Sequence, residues 1–288
     1  MSVPVDKSLD SAELRVLTLA DLPAAVRVAE RDPVANVFVL SRLLGGGLAP
    51  TRGGGEVWGY SVEGELSSLL YVGANVVPVE ADAAAVEAFA ARAIRSGRRC
   101  SSIVGPADAV LPLWERLAPV WGPAREVRRN QPLMAVDACA SDIAPDPRVR
   151  TVARGQLDVL MPACVAMFTE EVGISPVGAD GGLLYRCRIA ELVESGRAFA
   201  RIEDDEVVFK AEIGAATPAV CQVQGVWVEP GRRGRGLAAP GVAAVVELAR
   251  GCIAPTVTLY VNDFNSAALA TYRRVGFRQV GTFASVLF

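Results

Sequence analysis

Apolar positions along this chain follow two periods, and the order in which those periods appear repeats once. Residues 56–61 and 66–74 are strand-like and flank the polar turn Val62-Glu63-Gly64-Glu65; residues 198–202 and 207–215 flank Glu203-Asp204-Asp205-Glu206 in the same way. Each set reads as a β-hairpin. Ahead of each hairpin lies a helix-like stretch, one opening at 18–23 and running to Glu30, the other opening at 156–162 and running toward Glu170. The order of elements repeats although the residues rarely do, which predicts two halves of one design. Residues 137–150 mix Pro, Asp and Ser between two apolar regions, so the break is placed near 145, giving domains 1–145 and 146–288.

The second half carries the sharper signals. The β-branched and aromatic run Val226-Trp227-Val228 reads as a strand, Glu229-Pro230-Gly231 interrupt it, and Arg233-Gly234-Arg235-Gly236-Leu237-Ala238 lead into a long apolar-periodic helix. Glycines without a Cβ let a ligand come close to the backbone, and the N–H groups at a helix start face outward at the positive end of the helix dipole. A turn of this kind holds an anion. It lacks the Lys-Ser/Thr of a P-loop and the third spaced glycine of a dinucleotide fingerprint. Further on, 258–265 reads as a buried strand ending in turn residues, followed by a helix over 266–275 that Gly276 closes.

Composition narrows the chemistry. The chain has 288 residues, 51% of them hydrophobic, which is enough for a substantial core in two domains. A formal charge of -3 provides no field for nucleic acid or an anionic membrane, and no segment reads as a signal or a bilayer span. A cytoplasmic protein with neither nucleic-acid nor membrane partners is expected. The chain contains no histidine, and its six cysteines lack Cys-x-x-Cys spacing, which removes histidine-based zinc sites, Ser-His-Asp triads and Cys-His pairs. No metal is expected. Of 29 basic residues only Lys7 and Lys210 are lysines, which reads as coding bias.

The two glycine- and asparagine-containing segments together resemble the GNAT superfamily of N-acetyltransferases. Arg233, Gly236 and Ala238 fill the family's Gln/Arg-x-x-Gly-x-Gly/Ala pattern, and Asn265, Ala268, Tyr272, Gly276 and Phe277 fill its Asn-x-x-Ala-x-x-x-Tyr-x-x-x-Gly-Phe pattern. The resemblance covers residues from about 150 onward. It implies a mixed α/β fold (α+β mixed sheet) of two GNAT-like domains, of which the C-terminal one keeps an intact acetyl-CoA motif. In the first half, Glu80-Ala81-Asp82 follows Val79 where the glycine turn would stand, an acidic helix start that would repel pyrophosphate, and 101–117 supplies neither the Asn nor the Tyr. That half reads as a degenerate domain without a cofactor site.

The resemblance further implies that acetyl-CoA is the acyl donor, held by Val226, Trp227 and Val228 along the splayed strand, by Arg233, Gly234, Arg235, Gly236, Leu237 and Ala238 around the pyrophosphate, and by Asn265 at the cofactor arm. Tyr272 is the candidate acid for the departing thiolate. The strand offers Gln222 and Gln224 where some members carry a Glu, so proton removal falls to a water, with Gln224 and Glu212 as its candidate partners. Glu170 and Glu171, at the start of an expected loop over 169–182, are candidates for the amine acceptor. The expected activity is direct acetyl transfer to a primary amine of a small molecule, peptide or protein, and a noncatalytic acyl-CoA-binding regulator is the alternative. Association as a homodimer stays open.

Overall fold

The computed structural model describes residues 12–48, 55–137, 142–178 and 181–288. The expectation of a break near 145 meets a different division here: contacts separate one unit of residues 1–131 and 281–288 from a second of residues 132–280.

The first unit opens with β1 (Glu13–Val16), α1 (Leu22–Ala29) and α2 (Val37–Gly46), then the meander β2 (Glu56–Val62), β3 (Glu65–Val72) and β4 (Asn75–Val79). Next come α3 (Ala83–Ser96), β5 (Ser102–Pro106), α4 (Ala107–Trp121) and the start of β6 (Glu126–Val136). Strands β1 to β4 pair antiparallel in sequence order, and β4 then pairs parallel with β5 at Asn75↔Ser102 and Val76↔Ile103. The period-2 pattern sends neighbouring residues to opposite faces. Val57, Leu69 and Val77 join Val28, Leu40 and Leu43 of α1 and α2, while Trp58, Leu70 and Val76 join Phe89, Val110 and Leu113 of α3 and α4. Helices therefore cover both faces of the sheet.

The second unit repeats the plan. It contains β7 (Arg150–Thr151), α5 (Leu157–Val172), α6 (Leu183–Glu194), β8 (Ala198–Glu203), β9 (Glu206–Ala216), β10 (Val220–Val228), α7 (Ala238–Cys252), β11 (Thr256–Tyr260), α8 (Ser266–Val275) and the start of β12 (Arg278–Leu287). Strands β7 to β10 pair antiparallel in order and β10 pairs parallel with β11. Phe199, Phe209 and Val223 pack with α7 and α8, and Ala198, Ala200 and Trp227 pack with α5 and α6.

The last strand of each repeat sits in the other unit. Residues 133–136 of β6 pair antiparallel with β11, and 283–287 of β12 pair antiparallel with β5. The linker expected after 137 begins only after β6 has entered the second unit. The expected hairpins are β2–β3 and β8–β9, with Glu63, Asp204 and Asp205 at positive φ in their turns. The loop expected over 169–182 starts later, because α5 continues to Val172 and Gly173, at φ 78, ends it. Residues 179–180 of that loop, and Cys139, lie outside the described residues.

Candidate functional site

The site is built on two irregularities in neighbouring strands. On β9, Gln222 faces Ala215 and Val223 faces Ile213, which leaves Gly214 as an extra residue. On β10, Gln224 faces Glu212 and Trp227 faces Lys210, so Gly225 and Val226 together oppose one residue. Gly225 supplies the left-handed backbone (φ 60) that such a bulge requires. A bulge bends its strand, and β10 leaves β11 at this level. The parallel ladder covers only Val220–Gln222 against Thr256–Thr258, although β10 runs on to Val228 and β11 to Tyr260. Val226, Trp227 and Val228 all lie beyond the end of that ladder.

Behind the bulge is a buried polar cluster. Lys210 is 1% exposed and Glu212 4% exposed, with Nζ 3.2 Å from Oε2; the Gln224 Nε2 donates to Glu212 Oε1 at 2.9 Å. The two glycines make room for it. A Cβ on Gly214 would lie 2.0 Å from the Gln224 Oε1, and one on Gly225 would lie 3.1 Å from the Lys210 Nζ and 3.2 Å from the Glu212 carboxyl carbon. Cys164 lies under the cluster, its thiol pushed up to about 11 by burial, an effect that the Lys210 charge opposes. The Tyr185 hydroxyl donates to the Cys164 carbonyl at 3.0 Å, and burial holds its phenol well above the usual range.

Past Val228, the chain turns through Pro230–Arg232 and enters α7. Gly234 and Gly236 are left-handed (φ 74 and 75), and a Cβ at either would meet nothing within 4 Å. Leu237 stands at the N-cap and makes no side-chain cap to the first-turn amides of α7. At Gly241 a Cβ would lie 2.7 Å from the Phe209 ring, so glycine is what lets α7 lie close against β9. The turn thus offers exposed backbone, a helix N-terminus and open space, which fits a diphosphate.

The arginines of the turn are engaged elsewhere. Arg233 donates to the Glu170 carboxylate at 2.7 Å and to the Val228 carbonyl at 3.0 Å, Arg235 donates to the Gly231 carbonyl at 3.1 Å, and Arg232 bridges to Glu203 at 2.7 Å. Glu170 also accepts from the Trp227 Nε1 at 3.1 Å, so it ties the end of α5 to both the strand and the turn. Both of its oxygens serve this brace.

On α8, the Asn265 Oδ1 accepts from the Ala268 N–H at 3.1 Å and caps the helix. Seven residues on, Tyr272 is 8% exposed, with its ring edge-on to Phe277 at a centroid distance of 5.8 Å. Burial holds its phenol well above the ordinary value, and the negative charge of Glu171 on α5 adds to the effect. Tyr272 and Glu171 therefore share one electrostatic environment.

Lys210, Gly214 and Gly225 escaped the sequence reading. The signal for the lysine was present in its rarity, since it is one of two among 29 basic residues. Among the described residues, no group of three or more His, Cys, Asp or Glu could hold a metal ion, and no helix is long and apolar enough to cross a membrane.

Comparison with known proteins gives a family match for part of the chain and a likeness of fold. Residues 174–277 match the model of the Acetyltransferase (GNAT) family, and residues 55–160 match a domain of unknown function, DUF4081. A search of curated proteins returns no match. Among solved structures, a GNAT-family acetyltransferase from Colwellia psychrerythraea has 14% identity and a TM-score of 0.58, covering 96% of this chain and 99% of its own. A tandem GNAT protein from the clavulanic acid biosynthesis pathway has 15% identity and a TM-score of 0.59, covering 96% and 98%. A GCN5-related N-acetyltransferase from Sphaerobacter thermophilus has 19% identity and a TM-score of 0.58, covering 96% and 95%. At these identities the likeness is one of fold, and it extends over nearly the whole chain.

Proposed function

Taking residues 174–277 as the GNAT acetyltransferase domain whose family model they match, we propose that the second unit transfers an acetyl group from acetyl-CoA directly to a primary amine. The observation that carries this reading is the conjunction on β10: a glycine bulge where the ladder with β11 ends, followed by an open glycine turn at an uncapped helix start. The diphosphate would lie against the amides from Gly234 to Ala238, with the pantetheine arm along Val226 to Val228. Arg233 and Glu170 act in this reading as a brace that fixes the turn, because their charges are paired with each other.

The chemistry then needs two protons moved. As the amine nitrogen bonds to the carbonyl carbon and the C–S bond breaks, Tyr272 donates its proton to the leaving sulfur. A phenol whose pKa lies above its usual value stays protonated throughout the neutral range, as an acid must. The proton lost by the amine passes to a water held by Glu212, whose carboxylate is itself fixed by Lys210 and Gln224. Solvent then restores the phenol. Glu171, close enough to Tyr272 to be felt, presents negative charge toward an incoming ammonium.

Release of CoA thiol, followed over a panel of small amines and peptides, tests the reading. Thiol release that depends on an amine supports it. Binding of acetyl-CoA with no thiol released across the panel would instead favour a sensor of acyl-CoA.

A further inference from the structure

One carboxylate ties together three parts of the second unit that the proposed function gives different tasks. Glu170 lies in the last turn of α5, where its Oε1 accepts from the Trp227 Nε1 at 3.1 Å and its Oε2 accepts from the Arg233 Nη2 at 2.7 Å. Trp227 belongs to the stretch of β10 beyond the ladder, and Arg233 opens the glycine turn. The next residue of α5 is Glu171, whose charge is felt at Tyr272. One side chain therefore links the donor side to the helix end that faces the amine.

The two bonds are held with unequal firmness. The indole is 8% exposed and packs with Met167, Ala198 and Ala200, so its place is fixed by the core. The Arg233 and Glu170 side chains are 47% and 44% exposed, and water screens their attraction. A guanidinium binds a phosphate group at least as well as a carboxylate, in the same two-pronged geometry, and a diphosphate carries more charge. Gly234 follows Arg233 directly, with open space where a Cβ would stand, so an anion in the turn lies beside this pair.

We propose that a diphosphate entering the turn takes Arg233 from Glu170, and that this exchange unfastens the end of α5 from the donor side. The pair is a latch, closed between two side chains of the protein and opened by the donor. Its release falls on the turn of helix that carries Glu171, so arrival of the donor loosens the part of the unit that meets the amine. The inference rests on the reading of the glycine turn as the diphosphate site.

Inorganic pyrophosphate, which has no arm to lie along β10, tests the latch apart from the rest of the coenzyme. In the ¹⁵N-labelled full chain, saturating pyrophosphate is expected to shift the indole signal of Trp227, whose acceptor is Glu170, and to leave those of Trp58, Trp114 and Trp121 in place. Arg233→Gln should bind pyrophosphate roughly ten- to a hundredfold more weakly, the loss of one charge-assisted hydrogen bond, and its Trp227 signal should not respond at saturation. Hydrogen exchange at residues 169–173 should quicken severalfold when pyrophosphate is added. Glu170→Gln, which lacks the ion pair from the start, should show the faster exchange without pyrophosphate and no further change with it. A Trp227 signal that stays in place at saturation, an equal shift in Arg233→Gln, or unchanged exchange at 169–173 would overturn the latch and leave the diphosphate site standing. No binding of pyrophosphate would overturn the latch, and no binding of CoA would overturn the acetyl-CoA reading with it.

Discussion

The two units pass through the same strand, turn and helix, and treat the helix start in opposite ways. In the second, α7 begins behind Gly234 and Gly236 with no side-chain cap. In the first, α3 begins behind Asp82, whose carboxylate accepts from the Ala85 N–H at 2.8 Å, while the Glu80 carboxylate accepts from the Asn36 amide at 2.9 Å. An acid supplied by the chain thus occupies the place where the second unit leaves room for an external anion. The strands differ as well, since β3 and β4 pair without a register shift whereas β9 and β10 carry two. One scaffold can therefore satisfy its helix start internally, or leave it open as the proposed acetyl-CoA site requires.

The largest effect should come from the Lys210–Glu212 pair, since among the described residues only the second unit has ion pairs buried on both sides. Lys210→Ala leaves Glu212 buried without its cation and should cost about 3–5 kcal/mol, read by denaturant unfolding; a cost below about 1 kcal/mol would mean that the pair is not what holds the bulge. Next, Tyr272→Phe should lower turnover by about 10²-fold or more with little change in acetyl-CoA affinity, read by steady-state kinetics and calorimetry. Unchanged turnover would remove the phenol from the mechanism.

A transplant sharpens the contrast further. Leu237→Asp puts a carboxylate at the start of α7, where the helix dipole should stabilise it by up to about 1 kcal/mol while its charge weakens CoA by roughly tenfold or more. Stability and affinity moving in the same direction would refute the idea that the two caps are alternatives. The reciprocal change, Asp82→Ala, should cost about 1 kcal/mol in thermal unfolding and leave CoA binding as it was.

The smallest effect is one of pH. Burial raises the thiols of Cys164 and Cys221 to about 11 and about 12 in the second unit, whereas the first has only Cys100 raised. A group whose folded pKa is raised stabilises below its unfolded value, and that stability fades as pH climbs toward the folded one. Between about pH 9 and 12 the second unit should therefore loosen first. Hydrogen exchange read unit by unit would show this, and earlier loosening of the first unit would contradict it.

Much of this was legible from local pattern. The hairpins and the glycine turn are short-range features that local pattern located, and the Asn265 to Phe277 segment was found through its resemblance to the family's motif. The bulges at Gly214 and Gly225 were not legible, because register depends on which residue a partner strand presents. The resemblance set Arg233 and Arg235 around a pyrophosphate, and in the structure both guanidiniums also have acceptors within the protein, since a nearby carboxylate or carbonyl competes with any ligand for them. Lys210 was passed over because a sequence does not say that a charge is buried. The exchange of β6 and β12 was equally hidden, as an alternating strand carries no label for its neighbour.

That exchange sets a timetable for biosynthesis. Residues 281–288 are the last of this sequence to leave the ribosome, yet they belong to the unit that is translated first: Leu287 accepts from the Arg125 N–H, and Phe288 packs on Trp114 and Trp121. The earliest-made half must wait, its sheet one strand short, until synthesis has passed through the whole of the other half.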